Sequence, residues 1–334
     1  MKRLNIALIG VGRIGQVHLK NLTQLITGAS VTVVADPYCT SLNVPHKIKV
    51  VDDAEEAIND FNVDAVVICT PTNTHASLIE LSIRNGKHIF CEKPLDLSLD
   101  VTRSLTQKAA AAAVKLMVGF NRRFDHEFSQ AKKQVQEGRI GNPQIIKITN
   151  RDPALPSIDY IKTSGGMFMD FTIHDFDMAC YFMQKEVVEV FAKGLVFFDE
   201  EIGKAGDLDT ALTTLTFSDG TFAVIDNSRK AVYGYDQRIE VFGDGGMIKV
   251  ANNLYNQNIV FNSTGIHRAL PLNNFMERYA ASYLLEMQSF VDAVLNDTEV
   301  PVGGEAAIRA GRIALAANKS MKEKRPVKIN EISS

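Results

Sequence analysis

The sequence lacks several features that would place it in a specialised class of protein. Its four cysteines (Cys39, Cys69, Cys91 and Cys180) form no C-x-x-C pair, so neither a zinc motif nor a disulfide framework is indicated. No run of 18 apolar residues is present, which argues against a membrane span. Basic residues form no block and the net charge is -3, which argues against nucleic acid or an anionic membrane as a partner.

What the sequence does have is the length and composition of a globular protein with two domains. The chain contains 334 residues, of which 46% are hydrophobic, and a single core rarely serves so long a chain. The apolar run after Met1-Lys2-Arg3 is short and breaks into glycines, so we expect a strand there and no signal peptide. Because the cysteines are few and scattered, we expect a reducing, cytoplasmic location.

A glycine-rich turn near the N-terminus predicts a dinucleotide-binding site. An apolar strand runs directly into Gly10-Val11-Gly12-Arg13-Ile14-Gly15, inside which a helical pattern begins. In this arrangement Gly10 allows the tight turn, Gly12 lets the backbone approach a pyrophosphate, and Gly15 lets the helix pack on the strand. The first turn of the helix, which contains Arg13 and Ile14, then offers N–H groups to the phosphates.

An acidic residue after the second predicted strand indicates which cofactor this site takes. Asp36 follows the strand at residues 31–35, about 20 residues beyond the glycines, where a dinucleotide fingerprint has an acid for the ribose. A carboxylate hydrogen-bonds a ribose 2′-OH and repels the 2′-phosphate of NADP. No arginine occurs in residues 37–41, so the sequence favours NAD.

The first 120 residues alternate strands with helices, which predicts a doubly wound parallel sheet. Further strands are predicted at residues 48–51, 64–69, 88–91 and 115–119. Sheets of this kind bind ligands at the carboxyl ends of their strands. The loop after the strand at residues 64–69 is therefore predicted to contact the cofactor through Thr70, Pro71, Thr72 and His75, with Thr74 as the N-cap of the next helix.

The stretch Phe90-Cys91-Glu92-Lys93-Pro94 ends the next strand and places Glu92 and Lys93 at the same edge of the sheet. Pro94 restricts Lys93 to an extended backbone, which aims the lysine amine. We predict that both residues contact the cofactor and that Lys93 is catalytic. The alternative is a solvated lysine before a turn proline, which is the commoner case for an isolated Lys-Pro pair.

The pattern changes after residue 120 and predicts an α+β domain over residues 121–334. Most segments between residues 187 and 250 are predicted strands, with hairpin turns at residues 218–220 and 243–246. Two long helices are predicted to follow, at about residues 273–295 and 304–321. We expect a large, mostly antiparallel open sheet with helices on one face, whose other face is covered by a second subunit.

A helix predicted after Ser164-Gly165-Gly166 carries a polar stripe. Asp170, His174 and Asp177 are spaced by four and three residues, which puts them on one face of a helix. Such a stripe is more often a solvated face, but the rest of this helix is strongly apolar, so we expect the stripe to face a cleft. A histidine one turn after an aspartate can be oriented by it for proton transfer, which makes Asp170 and His174 candidate catalytic residues.

Taken together, these motifs make the sequence resemble the Gfo/Idh/MocA oxidoreductases over its whole length, and within them the inositol 2-dehydrogenases. The glycine motif, Asp36 and the Glu-Lys-Pro stretch match the general family. The segments similar to inositol dehydrogenases are Asn121-Arg122-Arg123-Phe124-Asp125, Asn150-Arg151-Asp152-Pro153, Ser164-Gly165-Gly166, residues 170–177 and Tyr233-Gly234-Tyr235-Asp236. One departure is Cys180, where relatives commonly carry arginine.

The resemblance implies an NAD-dependent dehydrogenase that oxidises a ring hydroxyl of a cyclic polyol, with myo- or scyllo-inositol as the expected substrate. It assigns catalysis to Lys93, Asp170 and His174. It also implies substrate contacts from Arg122, Asn150, Asp152, Asp177, Tyr233 and Tyr235. It further implies a Lys93-Pro94 peptide that is often cis and a homotetramer, a dimer of dimers, with sheets packed face to face.

Three other functions remain open on the sequence alone. The chain could be a dehydrogenase of another sugar such as glucose or xylose, an NAD-dependent glycosidase on the same scaffold, or a non-catalytic NAD-sensing regulator. A sensor is expected to have lost Lys93, Asp170 or His174, all of which are present. A glycosidase would hydrolyse an aryl glycoside without net formation of NADH.

Overall fold

The computed structural model describes residues 3–38, 44–45 and 47–332, and the chain divides into two compact units. Unit 1 consists mainly of Met1–Phe124 and Ala281–Gly311, and unit 2 of Asp125–Ala280 and Arg312–Ser333. Cys39 and residues 40–43, which bear on the cofactor prediction, lie outside the described residues. Within the described ranges, no helix combines the length and the apolar character that crossing a membrane requires.

Unit 1 is built on a six-stranded parallel sheet with helical connections. Its strands are β1 (Leu4–Ile9), β2 (Ala29–Ala35), β3 (Lys49–Val51), β4 (Ala65–Ile68), β5 (His88–Cys91) and β6 (Leu116–Val118), and its first helices are α1 (Arg13–Gln24), α2 (Ala54–Asn59), α3 (Thr72–Arg84) and α4 (Leu99–Ala111). The strand order β3-β2-β1-β4-β5-β6 confirms the predicted doubly wound sheet. A 3-10 turn, Asn121–Phe124, follows β6.

Unit 2 contains a seven-stranded sheet, a separate two-stranded hairpin and several short helices. The strands are β7 (Pro143–Arg151), β8 (Val187–Leu195), β9 (Thr210–Phe217), β10 (Phe222–Ser228), β11 (Asp236–Gly243), β12 (Gly246–Val250), β13 (Ile259–Asn262), β14 (Gly265–Arg268) and β15 (Val327–Lys328). The helices are α5 (His126–Gln136), α6 (Ile158–Ser164), α7 (Ile173–Met183), α8 (Glu200–Lys204) and α9 (Phe275–Arg278). The sheet order is β12-β11-β7-β10-β9-β8-β15, and every pair is antiparallel except β7 with β10, which confirms a mostly antiparallel sheet.

The last two long helices, α10 (Ala280–Leu295) and α11 (Gly304–Glu323), depart from the predicted division at residue 120. Residues 281–311 belong to unit 1, and the first boundary falls at Phe124. The reason is packing, since Met287, Phe290 and Val291 of α10 are fully buried and complete the apolar core around the unit 1 sheet. The sequence of an apolar helix face predicts that the face is buried, but it does not indicate which sheet the helix packs on.

Two helix starts also differ from the sequence prediction. Thr74 is not an N-cap, because α3 begins at Thr72 with Pro71 at the N-cap, and the Thr74 hydroxyl instead donates to the Pro71 carbonyl oxygen at 2.8 Å. The helix predicted after Gly166 is divided into a π-helical turn, Met167–Phe171, and α7, with Thr172 between them. Single turns of π-helix often occur at functional sites.

Candidate active site

The glycine turn between β1 and α1 has the shape that a dinucleotide needs. Gly10 has a φ of 84°, in the left-handed region that favours glycine. A Cβ at Gly15 would lie 2.1 Å from the carbonyl oxygen of Gly10, which explains the requirement for glycine there. A Cβ at Gly12 would meet no atom of the described residues within 4 Å. The space beside the Gly12 backbone is therefore open to a ligand.

The N-terminus of α1 suits a bound anion. Gly12 is its N-cap residue, and within the described chain no side chain hydrogen-bonds to this helix end and no acidic residue occupies the first turn. The first turn contains the exposed Arg13 and the half-buried Ile14. A pyrophosphate beside Gly12 would meet the N–H groups and the positive end of the helix dipole.

Asp36 lies beside this turn with a fixed carboxylate. Its Oδ2 atom accepts a hydrogen bond from the Val11 N–H at 2.8 Å, and its Oδ1 atom accepts one from the Tyr38 N–H at 2.8 Å. The residue is half-buried at the carboxyl end of β2, next to β1 in the sheet. Its remaining acceptor capacity suits ribose hydroxyls, and its charge opposes a 2′-phosphate.

His75 ties the loop after β4 to the loop after β5. Its buried ring lies between two carbonyl oxygens, with Nδ1 2.8 Å from that of Pro94 and Nε2 2.9 Å from that of Thr70. Burial lowers the pKa of His75, although both backbone contacts act in the opposite direction. Its ring nitrogens are thus used within the protein, so His75 supports the loop that carries the predicted cofactor contacts Thr70, Pro71 and Thr72.

The candidate catalytic lysine follows β5 at the same carboxyl edge of the sheet as the glycine turn. Lys93 is half-buried, and the Lys93-Pro94 peptide bond is cis, as the resemblance implied. The preceding residue, Glu92, directs its carboxylate inward, with Oε1 2.9 Å from Nε2 of His18. Unit 1 therefore brings the glycine turn, Asp36 and Lys93 to one edge of the sheet, where a nucleotide is expected to bind.

In unit 2, the Asp170 carboxylate is held by two side chains that the sequence analysis did not identify. The Tyr160 hydroxyl donates to Oδ1 at 2.8 Å, and Nη1 of Arg229 lies 4.0 Å from Oδ2. Arg229 is only 1% exposed and also donates through Nη2 to Oδ2 of Asp207 at 3.0 Å. Arg229 lies far from Asp170 in sequence, and Tyr160 belongs to the preceding helix α6, so the helical spacing that predicted the polar stripe indicated neither of them.

Asp207 connects this charge cluster to the backbone of the π-helical turn. Its Oδ1 atom accepts a hydrogen bond from the Met167 N–H at 2.8 Å. A Cβ at Gly166 would lie 2.9 Å from the same oxygen, and Gly166 has a φ of 78°, so a glycine is needed where the turn begins. Arg229 and Asp207 therefore fix the turn that presents Asp170.

His174 and Asp177 differ in exposure. Between Met167 and Met183, His174 and Tyr181 are the two residues that keep appreciable exposure, and all others are buried. Asp177 is 2% exposed and Asp170 8%. The predicted stripe therefore crosses the junction between the π-helical turn and α7, and His174 is its most accessible member, as a proton-carrying group requires.

A buried polar network lies under the start of α7. Oδ2 of Asp175 accepts hydrogen bonds from the Asn150 and Asn227 amides, each at 2.8 Å. The side-chain amide of Gln237 donates to the side-chain oxygen of Asn150. Asn150 is 0% exposed, and both the nitrogen and the oxygen of its side-chain amide are hydrogen-bonded within the protein. These hydrogen bonds fix the Asn150 side chain under the start of α7.

The other predicted substrate contacts fall in different environments. Arg122 is buried in the 3-10 turn of unit 1, and Asp152 is half-buried just after β7 in unit 2. The Tyr233 hydroxyl donates to Asp236 at 2.7 Å and accepts from Arg151 at 2.9 Å. Tyr235 is 6% exposed, and its ring packs edge to face with Tyr279. Tyr233 is thus engaged within the sheet, while Tyr235 lies mostly inside the core.

Comparisons with known proteins match nearly the whole chain. The oxidoreductase family with an NAD-binding Rossmann fold matches residues 4–120, and the GFO/IDH/MocA C-terminal domain matches residues 128–249. The chain is 46% identical to myo-inositol 2-dehydrogenase of Thermotoga maritima, covering 98% of this chain and 99% of that protein. It is 42% identical to inositol 2-dehydrogenase of Rhizobium meliloti, and the match covers 96% of this chain and 98% of that protein.

A solved structure with ligands is also similar. Scyllo-inositol dehydrogenase from Lactobacillus casei, crystallised with NAD(H) and scyllo-inositol, is 32% identical and superposes with a TM-score of 0.91. The match covers 98% of this chain and 99% of that chain.

Proposed function

Because the chain belongs to the GFO/IDH/MocA oxidoreductase family, we propose that it is an NAD-dependent dehydrogenase that oxidises a ring hydroxyl of inositol to the corresponding ketone. The observation that carries the proposal is that one chain combines the open glycine turn and fixed Asp36 with Lys93, Asp170 and His174. The relatives that match this chain over nearly their whole length are named inositol 2-dehydrogenases.

The proposed mechanism assigns each step to a residue of this chain. The Gly12 backbone and the first turn of α1 hold the pyrophosphate, and Asp36 holds the adenosine ribose. The chemistry that NAD would supply when bound is a hydride acceptor for the carbon that carries the hydroxyl. Lys93 takes the hydroxyl proton, and His174, oriented by Asp170, carries a proton onward.

The substrate contacts in this proposal are Arg122, Asp152, Asp177 and Tyr235. A polyol presents a hydroxyl on every ring carbon, and each buried hydroxyl needs a hydrogen-bonding partner. The clustered acids and amides of unit 2 suit such a substrate better than a phosphorylated one, which calls for several cations. Which epimer is the substrate depends on the direction of a single hydroxyl.

The test is NADH formation with myo-inositol, scyllo-inositol, glucose and xylose. We expect turnover of at least one inositol and a large loss on Asp177→Asn, since that carboxylate is a proposed hydroxyl acceptor. An aryl glycoside in the same panel detects the glycosidase alternative. Turnover of glucose or xylose with both inositols inert would refute the inositol proposal, and hydrolysis without net NADH would refute the dehydrogenase.

We expect Asp36→Ala to reduce the preference for NAD over NADP. The change removes a charged hydrogen-bond acceptor, worth about 1.5–3 kcal/mol, so kcat/KM with NAD should fall roughly ten- to hundredfold. The change also removes the repulsion of a 2′-phosphate, so kcat/KM with NADP should fall less than kcat/KM with NAD, or should rise. The measurement is kcat/KM with each cofactor at equal substrate concentration.

Asp53→Ala is the matched control, because Asp53 caps α2 in the same unit through the Glu55 N–H. It should leave the cofactor ratio unchanged. A wild-type enzyme that prefers NADP, or an unchanged ratio in Asp36→Ala, would contradict the role given to Asp36.

We also propose that the protein is a homotetramer, a dimer of dimers. The support lies on the open face of the seven-stranded sheet, where Phe222 and Phe242 both pair in register with Ile145 and form an apolar row across three strands. Phe222 is 42% exposed and Phe242 45%. Sedimentation equilibrium should give a particle of four 36.8 kDa chains. A monomer at micromolar concentration would contradict this assembly.

A cytoplasmic location completes the proposal. Cys69, Cys91 and Cys180 are buried thiols, as cysteines of a protein in a reducing compartment can be. Cell fractionation of the native host tests the location, and recovery with an extracytoplasmic marker would contradict it.

A further inference from the structure

Three ionisable side chains meet inside unit 1, at the end of the strand that leads to Lys93. His18 of α1, Glu92 after β5 and Glu286 of α10 offer nitrogen and oxygen atoms that all lie within 4.8 Å of one another. His18 and Glu286 are both 0% exposed. Buried charges are costly unless they are paired, so a cluster with two carboxyl groups must hold its protons in a defined way.

Glu286 is the unusual member of this cluster. Neither of its carboxyl oxygens has a hydrogen-bond partner among the described residues, although the side chain is completely enclosed. Burial raises the pKa of Glu286 well above its usual range, and the charge of Glu92 acts in the same direction. Enclosure without a hydrogen-bond donor nearby favours the neutral, protonated form of a carboxyl group.

The surroundings of the cluster are mostly apolar. The rings of Phe90 and Tyr283 pack edge to face on His18, with centroids 5.2 and 5.9 Å away. The other titratable groups near it are Cys69 on the β4 side, Cys91 on β5, His75 of α3 and Lys93. Burial raises the pKa of Cys69 and of Cys91, with Glu92 as the next cause, so neither thiol supplies a charge.

The direction of the Glu92 carboxylate matters because Glu92 directly precedes Lys93. A lysine must be neutral to accept the proton of a hydroxyl, and a carboxylate beside it stabilises the charged form. In the structure Glu92 is turned toward His18, and only 13% of its side chain is exposed. The cluster therefore withdraws the carboxylate that would otherwise oppose catalysis.

We propose that His18 and Glu286 are positioning residues that keep the Glu92 carboxylate inside unit 1 and away from Lys93, His18 through its hydrogen bond to Glu92 and Glu286 as an enclosed, neutral polar group within 4.8 Å. The inference rests on the proposed function, which gives Lys93 its role in proton transfer. A divalent cation fits less well, because structural zinc sites have four protein ligands and catalytic ones keep an open position, whereas two of these three side chains are fully enclosed.

The first test compares Glu286→Gln with Glu286→Leu. Glutamine matches a protonated carboxyl group in shape and in lack of charge, whereas leucine removes the polar group altogether. We expect Glu286→Gln to keep kcat within about twofold and Glu286→Leu to lose about tenfold, the effect of one pH unit on a titrating base. Equal losses in the two variants would overturn the assignment of Glu286 as a neutral acid.

The second test is the pH profile of kcat/KM for His18→Leu and His18→Gln. Without its partner, Glu92 is free to pair with Lys93, so the acidic limb of the His18→Leu profile should move about one unit to higher pH. At pH above that limb the activity should return toward wild type. His18→Gln retains an amide donor and should recover most of the shift. A loss that is uniform at every pH would indicate a merely structural role and overturn the proposal.

The third test detects the proton on Glu286 without turnover, so it separates this inference from the proposed function. The infrared spectrum at pH 7 should contain a carboxylic acid C=O band that disappears in Glu286→Gln. A group whose pKa is raised on folding contributes stability that is lost as pH rises, so Glu286→Gln should raise Tm more at pH 8 than at pH 5.

Absence of the carboxylic acid band, or a stoichiometric divalent metal that is lost in Glu286→Gln, would overturn the proposal. If the band and the pH shift are found but Lys93→Met remains active, the proposed function fails while the proton assignment stands.

Discussion

Lys93→Met should abolish turnover of inositol while NAD still binds. In the proposed mechanism Lys93 accepts the hydroxyl proton, and a positioned proton acceptor contributes about 10²-fold or more to a rate. Methionine has a similar length and no titratable group, so it preserves packing at this half-buried position. The measurement is kcat from NADH formation, and calorimetric titration with NAD gives the Kd.

The matched control for this variant is Lys108→Met. Lys108 lies on α4 of the same unit, where it is half exposed and pairs with Glu80. Exposed ion pairs contribute little to stability, so kcat and Kd should both remain close to wild type. If Lys93→Met kept the wild-type kcat, Lys93 would not be the proton acceptor. If it lost NAD binding to the same extent as kcat, the residue would act mainly through the cofactor.

The parts of the fold that the sequence predicted well are those encoded by neighbouring residues. The turn at Gly10–Gly15, the acid at Asp36 and the position of Lys93 all depend on one strand and the few residues that follow it. Parallel strands then bring these loops to a common edge without further information. For the same reason, the hairpin turns at residues 218–220 and 243–246 were confirmed by the pairing of β9 with β10 and β11 with β12.

The parts that were missed depend on contacts between distant residues. Arg229 reaches Asp207 and Asp170, which lie 22 and 59 residues away in sequence. Asn150 was predicted as a substrate contact, and its side-chain amide also donates to the distant Asp175 carboxylate, a pairing that the local sequence does not indicate. The sequence did contain a signal that Glu286 is unusual, because acidic residues are rarely found on the buried face of a helix such as α10.

The second large effect is expected for Arg229→Met, which removes the cation beside Asp170. Arg229 is 1% exposed, so the change leaves Asp207 without its charged partner in a buried site. Breaking a buried ion pair by removing one member costs about 3–5 kcal/mol. Turnover should fall as well, because the same arginine and Asp207 fix the π-helical turn that carries Asp170.

Urea unfolding and kcat of the purified variant measure the two effects, and Lys147→Met is the control. Lys147 pairs with Glu240 at 3.3 Å on the seven-stranded sheet of unit 2, but 61% of its side chain is exposed. Its removal should therefore lower the free energy of unfolding by less than about 1 kcal/mol. Adding Asp207→Asn to Arg229→Met should recover part of the lost stability, because a neutral amide needs no cation. A stability loss no larger than that of Lys147→Met would mean that the Arg229 pair does not hold this part of the site together.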